Sequence, residues 1–229
     1  MIPSKERKIV VDFEWERTEQ KIFFNGKFLK QEIIEFGAVM LDADFKELGT
    51  FKRYVKPRYT SKLRNSIINL TGITDDILAD AEDFSEVLKE FVGWCEDGQG
   101  KYEVYAWSDN DLNQIRKEIE AKGIEHTDSI HFLLGNWYDL QQEFDSMLGF
   151  KSRVSLENAL FTAGIDLEGK AHDALDDARN TAQLICFMND PEKQETIIRK
   201  IREVLCGTEE KATLGEMFDM SVFAGLPEE

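Results

Sequence analysis

Apolar and polar positions alternate with the short period of extended chain over the first part of the sequence. Residues 8–15 carry a β-branched run, residues 33–41 are strongly apolar, and residues 47–56 alternate more loosely, which predicts three strands. Between the first two, residues 21–28 hold Asn25-Gly26 flanked by aromatics, a two-residue hairpin signal. Consecutive strands with tight connections imply an antiparallel start. The period then lengthens. A short helix is expected over residues 61–70, ending at Thr71-Gly72. A clear amphipathic helix follows over 84–95, with Phe84, Val87, Leu88, Phe91 and Trp94 on one face. Residues 103–107 read as a fourth strand leading into a helix over 111–122. Further helices are expected from Ser155 to near Gly164, over 173–188 with a stop at Asn189-Asp190-Pro191, and over 192–205. No internal repeat or low-complexity linker interrupts the pattern. Strands first, then a strand among helices, predict one α/β or α+β domain with a mixed sheet over residues 1–206. The acidic tail, residues 207–229, is the one segment that reads as separable.

Composition narrows this further. A chain of 229 residues with 42% hydrophobic positions can bury a real core, so disorder is not the default reading. No apolar run approaches the roughly 18 residues a membrane span needs, so no membrane partner is expected. The opening run meets charge again too soon to read as a signal peptide. Cys95, Cys186 and Cys206 are odd in number and lack CxxC spacing. They fit a reducing compartment, with the cytoplasm as the simplest address. A net charge of −17 argues against a broad basic face for nucleic acid. It does not argue against an enzyme that meets phosphate through divalent cations, because clustered carboxylates count as negative charge until metal arrives.

Three constellations carry candidate chemistry. Asp12 and Glu14 sit two apart on a strand, so both point to one face among the apolar neighbours Ile9, Val10, Val11 and Phe13. Charge in such a place is costly unless paired or holding metal, although a D-x-E pair also caps strand ends or meets an arginine. Asp109 and Asp111 follow the fourth strand, where α/β folds place chemistry and where Asp also serves as an ordinary N-cap. Asp111 is the favoured member. His172 and Asp177 lie five apart, about 140° off register on an ideal helix. A shared site therefore needs His172 on the loop before the helix, as Gly169 just upstream allows. Asp173 and Asp176 read as partners of the helix dipole. Trp15, Trp107 and Trp137 read as base-stacking or core aromatics, and His126 and His131 receive no role.

In order, Asp12-Phe13-Glu14, Asp111 with Leu112 and Ile115 behind it, and His172-x4-Asp177 resemble the DEDDh 3′–5′ exonucleases. Ile33-Ile34-Glu35-Phe36-Gly37-Ala38, Leu70-Thr71-Gly72-Ile73-Thr74 and Ser155-Leu156 agree with the same family. The resemblance covers roughly residues 7–190 and looks closest to the branch of histone-mRNA 3′-exonucleases and KapD-like proteins. A longer hairpin over residues 17–30 and the tail after Gly207 depart from it. The resemblance implies a ribonuclease-H-like mixed central β-sheet flanked by α-helices. It also implies hydrolysis at the 3′ end of single-stranded RNA or DNA with two Mg²⁺ or Mn²⁺ ions. Asp12 would bridge both ions, Glu14 and Asp177 would complete the one carrying the attacking water, and Asp111 would assist the other. His172 would be the general base, since an imidazole titrates near working pH. The Phe13 backbone and Leu70-Thr71 would contact the terminal nucleotide. A catalytically silent binding module of the same fold is the alternative, and a metal-dependent phosphatase a third reading.

Two further expectations come from the residues themselves. From Leu48 to Thr74 there is no acid but Lys52, Arg53, Lys56, Arg58, Lys62 and Arg64, a +6 block in an acidic chain. Lys62 and Arg64 are the members expected to hold substrate phosphates. The tail carries Leu214, Met217, Phe218, Val222 and Phe223 among acids, which suits packing on the domain or docking to a protein partner.

Overall fold

The strand that carries the first two candidate carboxylates is also the one that organises the sheet. In the computed structural model, which describes residues 7–97, 101–150 and 152–205, β1 (Arg7–Phe24) pairs antiparallel with β2 (Lys27–Leu41) from Lys8↔Leu41 out to Phe24↔Lys27. Asn25 and Gly26 make the turn with φ of 42° and 77°, the left-handed pair that a tight hairpin demands. β3 (Glu47–Lys56) adds antiparallel to β2. On the other side β5 (Tyr102–Ala106) runs parallel to β1, and β6 (Trp137–Asp139) parallel to β5. With β4 (Glu82–Asp83), the described strands form one mixed sheet in the order β4-β3-β2-β1-β5-β6.

Alternation along β1 sends Ile9, Val11 and Phe13 to one face and Val10, Asp12 and Glu14 to the other. The first set packs under α3 (Phe84–Glu96), α4 (Asp109–Lys122) and α5 (Asp128–Gly135), through Phe84, Phe91, Ile115, Ile119 and Leu133. On the opposite face, Val10 and Val39 pack with α6 (Leu140–Leu148), α7 (Leu156–Ala163) and α8 (Ala174–Met188), through Phe144, Leu160, Ala178 and Ile185. The acidic pair thus sits where the second apolar face runs out. α1 (Asn65–Thr71) and α2 (Asp75–Ala79) cover the far side of β2, and α9 (Pro191–Leu205) closes the described chain.

The α/β class, the antiparallel start and the four long helices agree with the expectations from sequence. β1 and β2 are longer than expected and absorb the separate hairpin. Elements α2, β4, β6 and α6 were not anticipated, and α5 only as a loop and helix start around His126 and His131. The tail 207–229, and with it the boundary at residue 206, lies outside the described residues. No described helix is long and apolar enough to cross a membrane.

Candidate active site

Pairing between β1 and β5 stops at Val11↔Ala106, one residue before Asp12. Beyond that point the Phe13 N–H has no strand beside it, and it donates to Asp111 Oδ1 at 3.1 Å. Ser108 caps the N-terminus of α4, which places Asp111 in its first turn and buries it against the open edge of β1. Asp109 turns outward to Arg153 and Asn113.

On the other edge of β1, Gly37 stands opposite Asp12 and Glu35 opposite Glu14. Gly37 has no side chain to hold α8 away, so the helix N-terminus seats directly on β2. Glu35 fixes it there. Its buried carboxylate accepts the Ala174 N–H at 3.1 Å and pairs with Lys52 Nζ at 3.1 Å, and Lys52 also grips Asp173. Asp173 is the N-cap of α8 and accepts from Leu175 and Asp176. Glu35 is therefore occupied by a cation and a backbone donor. Glu14, its cross-strand neighbour, is left to the cleft.

His172 lies just before the cap, on the loop, as the spacing requires. Its φ of 62° is left-handed, an uncommon conformation for a residue with a side chain. That turn directs its N–H to Asp177 Oδ2 at 2.9 Å and brings Nδ1 to 3.8 Å from Glu14 Oε1. One ligand atom each from Glu14, His172 and Asp177 falls within 4.8 Å of the others. Upstream, Lys170 spans to α1: its N–H donates to Asp176 and its Nζ to the Thr71 carbonyl at 2.8 Å.

Asp12, Glu14, Asp111, His172 and Asp177 all line one cleft of 430 Å³. Burial, then the charges of Asp111, Glu14 and Asp177, push the Asp12 carboxyl well above the usual range. Burial with the Asp177 charge raises Glu14 to about 8. Burial raises Asp111 to about 7 against the pull of the Phe13 N–H, and raises Asp177 against that of the His172 N–H. Among the described residues no lysine or arginine pairs with any of the four. Crowded, desolvated carboxylates without a protein cation are what a divalent-ion site presents before it is filled, so the donor set fits hard divalent metal.

A family model described as exonuclease matches residues 9–185. The chain belongs to that exonuclease family. It is 28% identical to the 3′-5′ exoribonuclease 1 of Rattus norvegicus, over 96% of this chain and 60% of that protein. It is 31% identical to the ERI1 exoribonuclease 2 of Danio rerio, over 77% of this chain and 34% of that one. The chain thus spans less than two thirds of the length of either relative. Among solved structures, the nuclease domain of 3′hExo, a DEDDh family member bound to rAMP, superposes with a TM-score of 0.69. The match has 26% identity and covers 80% of this chain and 92% of that one. A structure of exonuclease I, at 16% identity and a TM-score of 0.64, shares the fold over 88% of this chain and 44% of its own. The fold is that of the ribonuclease-H-like exonucleases, and the family implies divalent metal ions.

The other expected exonuclease residues divide. Leu70 is exposed and lines the cleft, whereas Thr71 is buried, with its hydroxyl donating to Ile67 and accepting from Ile73. The Phe13 N–H is committed to Asp111, and its ring is in the core 4.4 Å from Phe36, so a nucleotide contact there does not use that N–H. Arg64 lines the cleft while pairing with the buried Glu16 at 2.6 Å. Lys62 instead lines a separate groove with Arg58, Tyr59 and Asp75. Within the basic block, Lys52 is held by Glu35 and Asp173, Arg53 by Glu90, and Lys56 by the Ala79 carbonyl. Trp15 and Trp107 border the cleft, Trp107 donating to Val154, while Trp137 packs on Phe13. Sequence reasoning assigned no role to Gly37, Lys170, Arg17 or Gln31. For Gly37 the signal was present, a glycine inside an apolar strand where another backbone comes close.

Proposed function

We propose that this chain is a metal-dependent 3′–5′ exonuclease that hydrolyses the terminal phosphodiester of single-stranded RNA or DNA and releases nucleoside 5′-monophosphates. One observation carries the reading: four carboxylates with no lysine or arginine partner among the described residues and a histidine, from β1, α4, α8 and the loop before α8, converge on one cleft. A silent binding module would bear the cost of these buried charges with no return. The relatives' names, exoribonucleases, make RNA the first substrate to test.

Asp12, Glu14, Asp111 and Asp177 would hold the ions, and their all-oxygen set suits Mg²⁺ or Mn²⁺. Bound there, the ions supply an activated water and neutralise charge on the scissile phosphate. Nδ1 of His172 faces Glu14, so Nε2 is the atom that takes the proton of the attacking water. The water oxygen bonds to phosphorus as the bond to the upstream O3′ breaks, and O3′ takes a proton from solvent, giving a 3′-hydroxyl on the shortened strand. Leu70, Trp15 and Arg64, around the same cleft, position the last nucleotide. The Lys170 tie between Thr71 and the His172 loop keeps that wall and the base in fixed relation.

The test is a time course on 5′-labelled single-stranded RNA and DNA with Mg²⁺, Mn²⁺ or chelator. Stepwise shortening with release of 5′-mononucleotides, lost in chelator and in Asp12→Ala, is expected. Activity that survives in Asp12→Ala above a tenth of the wild-type rate would overturn it.

A further inference from the structure

Beyond the cleft, the hairpin of β1 and β2 continues as an arm whose exposed face is unlike the rest of the protein. Phe23 and Phe28 are cross-strand partners with ring centroids 5.1 Å apart, yet they are 65% and 45% exposed. Single exposed aromatics are ordinary, but a contiguous exposed pair marks a contact surface. Lys30 stands two positions from Phe28 along β2 and so shares its face, and Lys21, two positions before Phe23, ends the irregular stretch of β1 between Arg17 and Ile22. Both lysines are exposed and pair with no carboxylate among the described residues. Ile22 and Leu29 point the other way, and Leu29 is fully buried, so the arm's apolar back is already covered.

Charge and position name the occupant. Residues 17–30 carry Arg17, Lys21, Lys27 and Lys30 against Glu19 alone, +3 in a chain of −17. Glu19 is itself engaged by Ser61. The arm also begins where the cleft ends. Arg17 and Gln31 are cross-strand partners, and both line the cleft. From Gln31 to Phe28, the partners of Arg17 and Phe23, β2 runs about 10 Å at the usual rise, so the aromatic pair lies close to the cleft. A protein-docking patch is depleted of charge at its centre. Here ammonium groups alternate directly with phenyl rings, the arrangement that tracks a phosphate backbone while bases stack.

We propose that this arm is a second binding surface for the substrate strand, with Phe23 and Phe28 stacking on bases upstream of the 3′ end and Lys21 and Lys30 meeting their phosphates. It rests on the exonuclease reading only for which end of the strand lies in the cleft. Binding is therefore measured without hydrolysis, by fluorescence anisotropy of a long 5′-labelled single strand in EDTA. F23A/F28A should weaken binding at least about five-fold, the lower end for loss of one stacked base. F23L/F28L, which keeps apolar bulk but no planar face, should weaken it to the same degree. K21A/K30A should lower the log–log salt slope by about 1.4, the value for two lost phosphate contacts on a single strand. Leucine variants that bind like the wild type, or a salt slope unchanged in K21A/K30A, would overturn the proposal. If wild type binds through the arm but releases no nucleotide with Mg²⁺ or Mn²⁺, the exonuclease reading fails and the arm stands. If F23A/F28A binds and shortens long strands like the wild type, the arm fails and the exonuclease reading stands.

Discussion

Gly37 lies against the peptide that joins Ala174 to Leu175. A Cβ at Gly37 would stand 2.1 Å from the Ala174 carbonyl carbon and 2.2 Å from the Leu175 nitrogen. Both are backbone atoms, so nothing there can rotate aside. Gly37→Ala should lift the start of α8, carrying His172 and Asp177 away from Asp12 and Glu14. Misplacing reacting groups by about 1 Å costs on the order of 10²-fold in rate, while overpacking costs about 1–3 kcal/mol of stability. Paired kcat and urea-midpoint measurements check this. A variant that keeps full kcat would show that the helix is not seated as described.

His172 stands beside two carboxylates that fit a metal ion, so base and ligand must be told apart. His172→Ala should lower kcat by about 10²–10⁴-fold, the usual yield of a general base. Mg²⁺ affinity measured by calorimetry should change little. A loss of affinity as large as the loss of rate would make His172 a ligand instead.

Stability should depend on pH in a direction set by the cleft. Burial and neighbouring carboxylates raise Glu14 from 4.5 to about 8, and burial raises Asp111 from 3.8 to about 7. With both raised in the folded state, the native protein holds more protons than the unfolded chain across this range. Metal-free stability is then fully present below the ordinary carboxylate values and falls as pH rises toward about 8. Thermal melts in EDTA should show a lower Tm at pH 8 than at pH 6, and Mg²⁺ should raise Tm more at pH 8. A metal-free Tm that climbs over this interval would contradict the assignment.

Arg64 and Lys62 should now behave differently. Arg64 borders the cleft, so Arg64→Ala should raise KM more than it lowers kcat. It should also destabilise the fold, because Glu16 is buried and loses its cation. Lys62→Ala should leave KM within about two-fold, since Lys62 lines another groove. Equal KM effects from both would mean the substrate crosses that groove as well.

The carboxylate site was largely legible because its signals are local. Alternation put Asp12 and Glu14 on one face, and helix geometry forced His172 off the helix that holds Asp177. The hairpin turn was legible too, since Asn25-Gly26 encodes its own left-handed backbone. What was not legible depends on distant partners. Lys52 read as one member of an unpaired basic block, but its partner Asp173 is 121 positions away. The resemblance implied Thr71 as a nucleotide contact, yet its hydroxyl donates to the Ile67 carbonyl and its own carbonyl accepts from Lys170 Nζ, 99 positions away. The length of β1 was hidden because its polar stretch over residues 18–21 shows no apolar alternation and slips register against β2 before pairing resumes at Ile22. Short α5, β6 and α6 carry too few turns for a period to show.

The bond from the Phe13 amide to Asp111 has a consequence for how this protein can change over time. A donor left orphaned where β5 ends must be satisfied by something, and here that something is a side chain of the site. Substituting Asp111 with an apolar residue therefore strips the sheet of a hydrogen bond at the moment it disarms the chemistry. Descendants that lose activity by that route should also fold less well. An inactive lineage would be expected to keep an acceptor at position 111 long after positions 12, 14 and 172 have drifted.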